Sequence, residues 1–283
     1  MPELPEVEII KLGLQRKIVG LKIKKIEVIT PKSFIGKPKD IEDKKVIKMW
    51  RRAKILAIEL NGIAVLFHLK MTGQLVWVGD EKFIGGHPTP DMIGELPNKS
   101  TRVIFTFNNG SKLYFNDQRR FGWVRIVNIE QSAVNSLFKK LGPEPLEKDF
   151  TREILKNKLL KHKSQAVKVA LLDQTVVSGL GNIYANEACF EAKIDPRKKV
   201  GELSDNEFKS LHRGVRKALR EGIAHGGSTR AHFVDPEGHK GYFLDYAKVY
   251  GKDKYPCKIC GEIIQKIQLK GRGTYFCSSC QKK

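Results

Sequence analysis

The stretch ILAIELNGIAVLFHL, from Ile55 to Leu69, decides the class of fold of this 283-residue chain. It consists of two short apolar segments, Ile55–Leu60 and Ala64–Leu69, joined by Asn61-Gly62. Asn-Gly between two apolar segments is the strongest short signal for a tight hairpin turn. The stretch therefore predicts a β-hairpin with a largely buried surface.

Segments of the same kind lie on both sides of this hairpin. They predict strands over Ile23–Ile29, Val46–Arg51, Gln74–Val78, Val103–Phe107, Lys112–Phe115 and Trp123–Val127. Asn109-Gly110 marks a second tight turn, whereas Gly79–Asn98, with two adjacent glycines and three prolines, is typical of an inserted loop. So many short strands with hairpin turns favour a β-sandwich.

Helical periodicity flanks this β region. A first helix is predicted from Pro5, with Val7, Ile10 and Leu14 on one face. Further helices are predicted over Gln131–Leu141, Thr151–Lys161, Gln165–Val177, Asn182–Ala192 and Asp205–His225, with Asn182 as an N-cap. The predicted fold is α+β and multidomain: a sandwich domain over 1–130, a helical domain over 131–245 and a finger over 246–283. We expect a cleft between the first two domains that could hold a large ligand.

The charge balance points to a polyanionic partner. The chain has 52 Lys and Arg against 31 Asp and Glu, a formal net charge of +21. A nucleic acid, a ribosome or an anionic membrane surface would each fit this charge. The sequence has no apolar run long enough to span a bilayer and no basic secretory signal. We expect a cytosolic monomer that does not enter the membrane.

Four cysteines predict a structural zinc site. Cys257, Cys260, Cys277 and Cys280 form a C-x2-C-x16-C-x2-C pattern, and four thiolates leave no open coordination position. The residues between the pairs predict a β-hairpin whose turn, Gly271-Arg272-Gly273, carries an arginine. Residues 246–283 hold nine Lys or Arg and two acidic residues, which favours a nucleic-acid-binding finger over a purely structural ribbon.

The first residues predict covalent chemistry. Removal of Met1 would leave Pro2 with a free secondary amine, and an α-amino group has an unperturbed pKa of about 7.7 to 8.0, so that part of it is neutral and nucleophilic near pH 7. Glu3 would stand beside it as a general acid or base. The alternative is that Pro2 and Glu3 only begin an amphipathic helix, with acidic residues at its positive end.

Three internal segments carry side chains suited to DNA. Ser178–Tyr184 has glycines before a helix start, which suits a phosphate, although taken alone the segment is better explained as an ordinary tight turn between helices. His68–Gly73 and Asp117–Gly122 place Met71, Arg119 and Phe121 in strand connections. Side chains of these types can wedge between unstacked bases, although each is also an ordinary loop or core residue.

Taken together, these segments closely resemble the formamidopyrimidine-DNA glycosylase family along essentially the whole chain. The segments that carry the resemblance are Pro2–Glu6, Arg51–Lys54, His68–Gly73, Arg119–Gly122, Leu141–Pro145, Gly179–Tyr184 and the four-cysteine finger. The resemblance implies a helix-two-turn-helix domain between the sandwich and the zinc hairpin. It also implies a bifunctional repair enzyme that excises oxidised purines, such as 8-oxoguanine and formamidopyrimidines, from double-stranded DNA and cuts the strand at the abasic site by β,δ-elimination.

The resemblance implies a role for each matching residue. Pro2 would attack C1′ of the damaged nucleoside and form a Schiff base, Glu3 would assist opening of the sugar ring, and Lys54 would supply a proton for β-elimination. Glu6 would support this site. The implied DNA contacts are His68, Met71, Arg119, Phe121, Asn182, Arg272, Ser228 and Thr229, with Arg119 facing the orphaned cytosine and the loop Gly226–Phe243 closing over the lesion.

Two departures from the family pattern concern DNA contacts. Gln118 stands where a proline is common, and Ser100 stands near the position of a DNA-contacting histidine. Two other interpretations stay open at this point. One is an endonuclease VIII-type glycosylase for oxidised pyrimidines, against which Leu4 and the Gly226–Phe243 loop argue. The other is a non-catalytic zinc-ribbon protein, which would leave Pro2, Glu3 and Lys54 without a role.

Overall fold

The computed structural model describes residues 1–86, 94–129, 137–228 and 242–282. The chain divides into two compact units. The first comprises residues 1–139 with 228–241, and the second comprises residues 140–227 with 242–283.

The first unit is a sandwich of two five-stranded sheets. Its strands are β1 (Ile23–Val28), β2 (Phe34–Ile35), β3 (Lys48–Arg52), β4 (Ile55–Leu60), β5 (Ile63–His68), β6 (Gly73–Val78), β7 (Lys82–Gly86), β8 (Thr101–Phe107), β9 (Lys112–Asp117) and β10 (Trp123–Asn128). One sheet has the order β1-β8-β9-β6-β7 and the other β2-β10-β5-β4-β3. The short β2 runs parallel to β10, and the remaining pairs are antiparallel. The predicted sandwich is confirmed.

The hairpin of β4 and β5 is buried on both faces, which explains its uninterrupted apolar sequence. Toward the sandwich core, the ring of Phe67 lies 5.7 Å from Phe105 and 6.3 Å from Phe115 of the other sheet. On the outer face, Ala57 and Leu66 belong to a second apolar cluster. The turn is Asn61-Gly62, as predicted, with Gly62 at φ +70°. A hairpin buried on both sides leaves its register little freedom to slip.

Helix α1 (Leu4–Ile18) packs on the sandwich at very short range. A Cβ atom at Gly85 would lie 2.6 Å from the Ile10 side chain, so only glycine allows this approach of β7 to the helix. This corrects the prediction that Gly79–Asn98 is entirely loop, because Lys82–Gly86 forms β7 and pairs with β6. The glycines that suggested a loop are required by packing. Residues 87–93 lie outside the described residues.

The second unit is helical and ends in a hairpin. Its helices are α2 (Arg152–Leu159), α3 (Val167–Leu171), α4 (Asn182–Glu191), α5 (Asp205–Ala224) and α6 (Phe243–Tyr246), and its strands are β11 (Gln265–Leu269) and β12 (Arg272–Phe276). The predicted helix over Gln131–Leu141 falls largely on residues 130–136, outside the described part of the chain. The predicted α+β organisation is otherwise confirmed.

Two local predictions in this unit are wrong. The helix expected over Gln165–Val177 ends at Leu171, because the Gln174 side chain bonds the backbone of Gly179 at 3.0 Å and of Leu180 at 2.8 Å and favours a turn. The N-cap of α4 is Gly181 and not Asn182. The Asn182 side chain is therefore available for a different contact.

The hairpin turn also differs from the expectation. The two turn residues are Lys270 and Gly271, both with positive φ, and Arg272 is the first residue of β12. A two-residue turn with both residues in the left-handed region suits the twist of the strands. Arg272 thus lies on a paired strand next to the turn.

No helix within residues 1–86, 94–129, 137–228 and 242–282 is long and apolar enough to cross a membrane.

Candidate functional site

The start of α1 buries two carboxylates and the proline that precedes them. Glu3 and Glu6 are each 4% exposed, and Pro2 is buried, whereas Met1 is 46% exposed. Glu6 accepts the backbone N–H of Glu3 at 2.8 Å through one carboxylate oxygen and that of Ser228 at 2.8 Å through the other. Glu6 thereby fixes the first helical turn against the chain at Ser228, which suits a positioning role.

Lys54 lies in the turn between β3 and β4 and is 7% exposed. The preceding Ala53 has φ +54°, a left-handed conformation that is costly for a residue with a Cβ atom. The guanidinium of Arg51 donates to the Ala53 carbonyl at 3.0 Å and to the Glu8 carboxylate at 3.0 Å. Arg51 therefore ties the turn that carries Lys54 to α1, the helix that carries Glu6 and follows Glu3.

His68 ends β5 as a neutral imidazole. Burial, together with the positive charges of Lys70 and Lys54, lowers the pKa of His68 to about 3. The backbone N–H of Lys70 donates to Nδ1 at 3.1 Å, which places the ring proton on Nε2. His68 thus offers an uncharged N–H donor on the same sheet as Lys54.

Met71, Arg119 and Phe121 lie in strand connections, as predicted. Met71 is 42% exposed and Phe121 is 56% exposed, and the Arg119 guanidinium lies 5.0 Å above the Phe121 ring. Lys70 and Arg120, beside these side chains, have φ of +51° and +58°. Large apolar side chains held outward on tight loops have the form expected of groups that insert into a base stack.

Asp117 organises both of these loops and was not identified as functional from the sequence. Its buried carboxylate accepts the Thr72 hydroxyl in a short hydrogen bond, the backbone N–H of Arg119 at 3.2 Å and that of Gly122 at 2.6 Å. Only the bond to Arg119 has a local sequence signal, because an Asp that accepts from the N–H two residues later is a common turn motif.

In the second unit, Asn182 and Arg272 are brought together through Gly273. The side-chain amide of Asn182 donates to the Gly273 carbonyl at 3.1 Å, and the ammonium of Lys168 donates to the same oxygen at 3.0 Å. Lys168, which sequence reasoning also missed, is fully buried and donates to the Thr274 hydroxyl at 2.9 Å. The α3–α4 region and the hairpin are therefore held to each other beside Arg272.

The four cysteines fit a tetrahedral zinc site. Their Sγ atoms lie within 4.8 Å of one another, with 3.4 Å between Cys260 and Cys277 and 3.9 Å between Cys257 and Cys280. Zinc–sulfur bonds of about 2.3 Å in a tetrahedron place sulfur atoms about 3.8 Å apart. A hydrogen bond from the Glu262 backbone is the main cause that lowers the pKa of Cys260 to about 7, whereas burial raises the pKa of Cys277 and of Cys280.

The predicted site residues fall into two groups. The first unit holds Pro2, Glu3, Glu6, Lys54, His68, Met71, Arg119, Phe121 and Ser228, and the second holds Asn182, Arg272 and the four cysteines. Thr229 and most of the predicted Gly226–Phe243 loop lie outside the described residues. Ser100, which stands near the position of a DNA-contacting histidine in other family members, is buried.

Three family models match consecutive parts of the chain. The formamidopyrimidine-DNA glycosylase N-terminal domain matches residues 1–124, and the H2TH domain of the same proteins matches residues 141–233. A zinc finger found in FPG and IleRS matches residues 256–283. The predicted zinc finger and its four metal ligands are thereby confirmed.

Curated relatives and solved structures match over the full length. The formamidopyrimidine-DNA glycosylase of Pelotomaculum thermopropionicum is 41% identical over 100% of this chain and 99% of its own. A Lactococcus lactis FPG mutant in complex with DNA containing Fapy-dG is 33% identical over 100% of both chains, with a TM-score of 0.86. The wild-type L. lactis protein in complex with DNA containing an oxidised pyrimidine is 34% identical over 100% of both chains, with a TM-score of 0.85.

A first prediction concerns His68 and pH. Because the pKa of His68 is lower in the folded state than the ordinary 6.5, the unfolded chain binds one more proton between about pH 6 and pH 3. Stability from this group is present above pH 6.5 and is lost as the pH falls, by about 1.4 kcal/mol per pH unit. Urea titrations from pH 7.5 to pH 4 should show a shallower pH slope for His68→Gln. Equal slopes for the two proteins would contradict a buried neutral imidazole.

A second prediction concerns the metal. Cys277→Ser should lose the single bound zinc and unfold the hairpin, because structural zinc supplies the folding free energy of such fingers. Metal analysis and amide hydrogen exchange over β11 and β12 measure both effects, while the first unit should stay folded. Cys189→Ser is the matched control, since this buried thiol lies outside the cluster and its loss should leave the zinc in place. Zinc-free wild-type protein would refute the assignment.

Proposed function

Because this chain belongs to the formamidopyrimidine-DNA glycosylase family, we propose that it removes oxidised purines from double-stranded DNA and then cuts the strand at the abasic site. The reaction is that of base excision repair, in which a glycosylase activity and an abasic-site lyase activity reside in one protein. Its place of action is the bacterial cytosol, where the chromosome lies. The observation that carries the proposal is the burial of Pro2, Glu3 and Lys54 in a strongly basic chain, with Pro2 and Glu3 leading into α1 and the turn of Lys54 tied to that helix through Arg51.

Pro2 is the nucleophile of the proposed reaction. After removal of Met1, its secondary amine attacks C1′ of the damaged nucleoside, the glycosidic bond breaks and the base leaves. The bond from C1′ to the sugar-ring oxygen then breaks, and the nitrogen lone pair forms an iminium, or Schiff base, with C1′. Pro2 is held in place because the helix that begins at Leu4, after the N-cap Glu3, is packed on the sandwich.

Glu3 and Glu6 have different roles at the start of the helix. Glu3 protonates the sugar-ring oxygen as the ring opens, which removes the charge that would otherwise develop there. Glu6 has both carboxylate oxygens engaged with backbone N–H groups, at 2.8 Å each, and acts as a positioning residue. We therefore assign positioning to Glu6 and proton transfer to Glu3.

Lys54 supplies the proton for elimination. Its turn is tied through Arg51 to Glu8 of α1, the helix that follows Pro2 and Glu3. His68 remains neutral and donates Nε2–H to the DNA backbone near this site. A neutral donor does not add a third positive charge beside Lys54 and Lys70.

The remaining residues bind and open the duplex. Met71, Arg119 and Phe121 fill the space left by the extruded nucleotide, with Arg119 against the orphaned base. Asn182 and Arg272 contact phosphates, and the zinc site holds the hairpin that carries Arg272. Ser228 and Thr229 contact the lesion or the adjacent backbone. The alternative of a non-catalytic zinc-ribbon protein would leave the match of the N-terminal glycosylase domain to residues 1–124 without an explanation.

Borohydride trapping tests the covalent step, and it is the third prediction. Duplexes containing 8-oxoguanine or an oxidised pyrimidine, incubated with the wild-type protein and borohydride, should give an adduct that maps to the N-terminal peptide. Pro2→Gly should keep part of this activity, because an amine remains at the terminus. An adduct on Lys54 in the wild-type protein, or no adduct on any lesion, would refute the mechanism.

Glu3→Gln refines the same experiment. The variant should bind lesion duplex but excise the base at least about a hundredfold more slowly. Glutamine has nearly the size of glutamate, but it cannot donate a carboxylic acid proton. Glu153→Gln is a matched control, since it makes the same change at an exposed carboxylate of α2 in the second unit. Excision by Glu3→Gln at the wild-type rate would leave Glu3 with only a structural role.

The fourth prediction separates positioning from base recognition. Arg272→Ala should weaken binding of every lesion duplex about equally and lower the salt dependence by about one phosphate contact. Arg119→Ala should instead reduce the preference for cytosine over adenine opposite 8-oxoguanine, a difference of roughly 1 to 3 kcal/mol. Binding titrations with both opposite bases at several salt concentrations measure these effects. If Arg119→Ala leaves the ratio unchanged, Arg119 does not contact the orphaned base.

A further inference from the structure

We propose that Asp117 is a positioning residue that holds Met71, Arg119 and Phe121 in one preformed insertion scaffold. The inference rests on the proposed function, because it concerns how the protein keeps an opened duplex open. Asp117 itself would not touch the DNA, since its side chain is fully buried in the sandwich unit. Its influence would pass through the two loops that it joins.

The Asp117 carboxylate accepts hydrogen bonds from both ends of the loop that carries Arg119 and Phe121. One oxygen accepts the backbone N–H of Arg119 at 3.2 Å, and the other accepts the backbone N–H of Gly122 at 2.6 Å. The segment between these two bonds contains Arg120 in the left-handed conformation, at φ +58°. Such a conformation persists for a residue with a Cβ atom only where its surroundings fix it on both sides.

The same carboxylate reaches the loop that carries Met71. It accepts the Thr72 hydroxyl in a short hydrogen bond, and the Thr72 oxygen in turn accepts the backbone N–H of Arg119 at 3.1 Å. Met71 directly precedes Thr72, and Gly73 pairs with Asp117 across β6 and β9. One carboxylate and one hydroxyl therefore couple the two insertion loops.

A carboxylate is the only small side chain that satisfies this arrangement. All three partners of Asp117 are donors: two backbone N–H groups and one hydroxyl. An asparagine would have one acceptor oxygen, and its NH2 group would face an N–H. Gly122 completes the fit, because a Cβ atom there would lie 3.0 Å from an Asp117 oxygen and 2.8 Å from the Phe115 ring.

Preformed loops matter because the extruded nucleotide and its neighbours tend to restack. A wedge that had to order itself during insertion would lose conformational entropy in the same step that opens the duplex. Loops already held by Asp117 avoid that loss. The contribution of Asp117 should therefore be confined to substrates in which a base must leave a stack.

Asp117→Asn tests this, and it is the fifth prediction. Excision of 8-oxoguanine from a duplex should fall by roughly tenfold or more, as for loss of hydrogen bonds to a charged group. Cleavage of an abasic site in a single-stranded oligonucleotide should remain within about twofold of wild type, because no base has to be extruded there. A merely structural role would lower both rates together, through the fraction of folded protein. Equal losses on the two substrates would overturn the proposal.

Two further variants sharpen the comparison. Thr72→Val removes the shared hydroxyl and keeps a side chain of similar size. It should lower the rate of duplex excision by less than Asp117→Asn does and should also spare single-stranded abasic sites. In the double variant, it should add little to the loss caused by Asp117→Asn. Asp195→Asn removes a buried carboxylate of the second unit that bonds Arg197. It should leave the ratio of duplex to single-strand rates unchanged. A changed ratio in Asp195→Asn, or additive losses in the double variant, would count against the scaffold.

Amide hydrogen exchange tests the scaffold without any activity. Residues 69–73 and 117–122 should both exchange faster in Asp117→Asn, because one carboxylate serves both loops. Faster exchange in only the second loop would refute the coupling. If the wild-type protein neither excises nor traps a lesion, the proposed function fails, and the exchange result still decides whether Asp117 couples the loops.

Discussion

The close packing of α1 on the sandwich is the constraint on which the rest of the structure depends. Ile10 meets β7 at Gly85, where no side chain fits, so the helix cannot shift along the strand. Pro2 and Glu3 directly precede this helix, and Arg51 joins it to the turn of Lys54. An N-terminal amine is ordinarily on a mobile end of a chain. Here the apolar packing of a whole helix fixes the residues that lead into it.

The position of α1 also explains where the buried carboxylates lie. In a chain of net charge +21, buried carboxylates are placed at the start of the first helix, where backbone N–H groups and the helix dipole favour negative charge. Burial raises the pKa of the nearby Glu8, but Lys11 and Arg51 lower it, and the pKa ends below its usual value. The positive charges that are left exposed can serve DNA binding.

The sequence predicted the parts of the fold that local chemistry determines. The strands around Asn61-Gly62 and the cysteine pairs were confirmed because turn residues and metal spacing act over a few positions. The loop prediction at Gly85 was wrong because the reason for that glycine is Ile10, which is 75 residues away in the chain. Asp117 and Lys168 were missed for a similar reason. Their partners Thr72 and Gly273 are distant in sequence, so only the folded chain brings them together.

The backbone conformation of three residues limits how far this protein can be made more thermostable. These residues are Ala53, Lys70 and Arg120. Each adopts a left-handed backbone conformation that glycine would take at lower cost, and each directly adjoins Lys54, Met71 or Phe121. Glycine at these positions would relieve local strain in the folded state but would also free the loops in which the working side chains sit. Thermostability and repair activity would then be selected in opposite directions at three defined sites, so a screen for heat resistance alone would favour proteins that fold well and repair poorly.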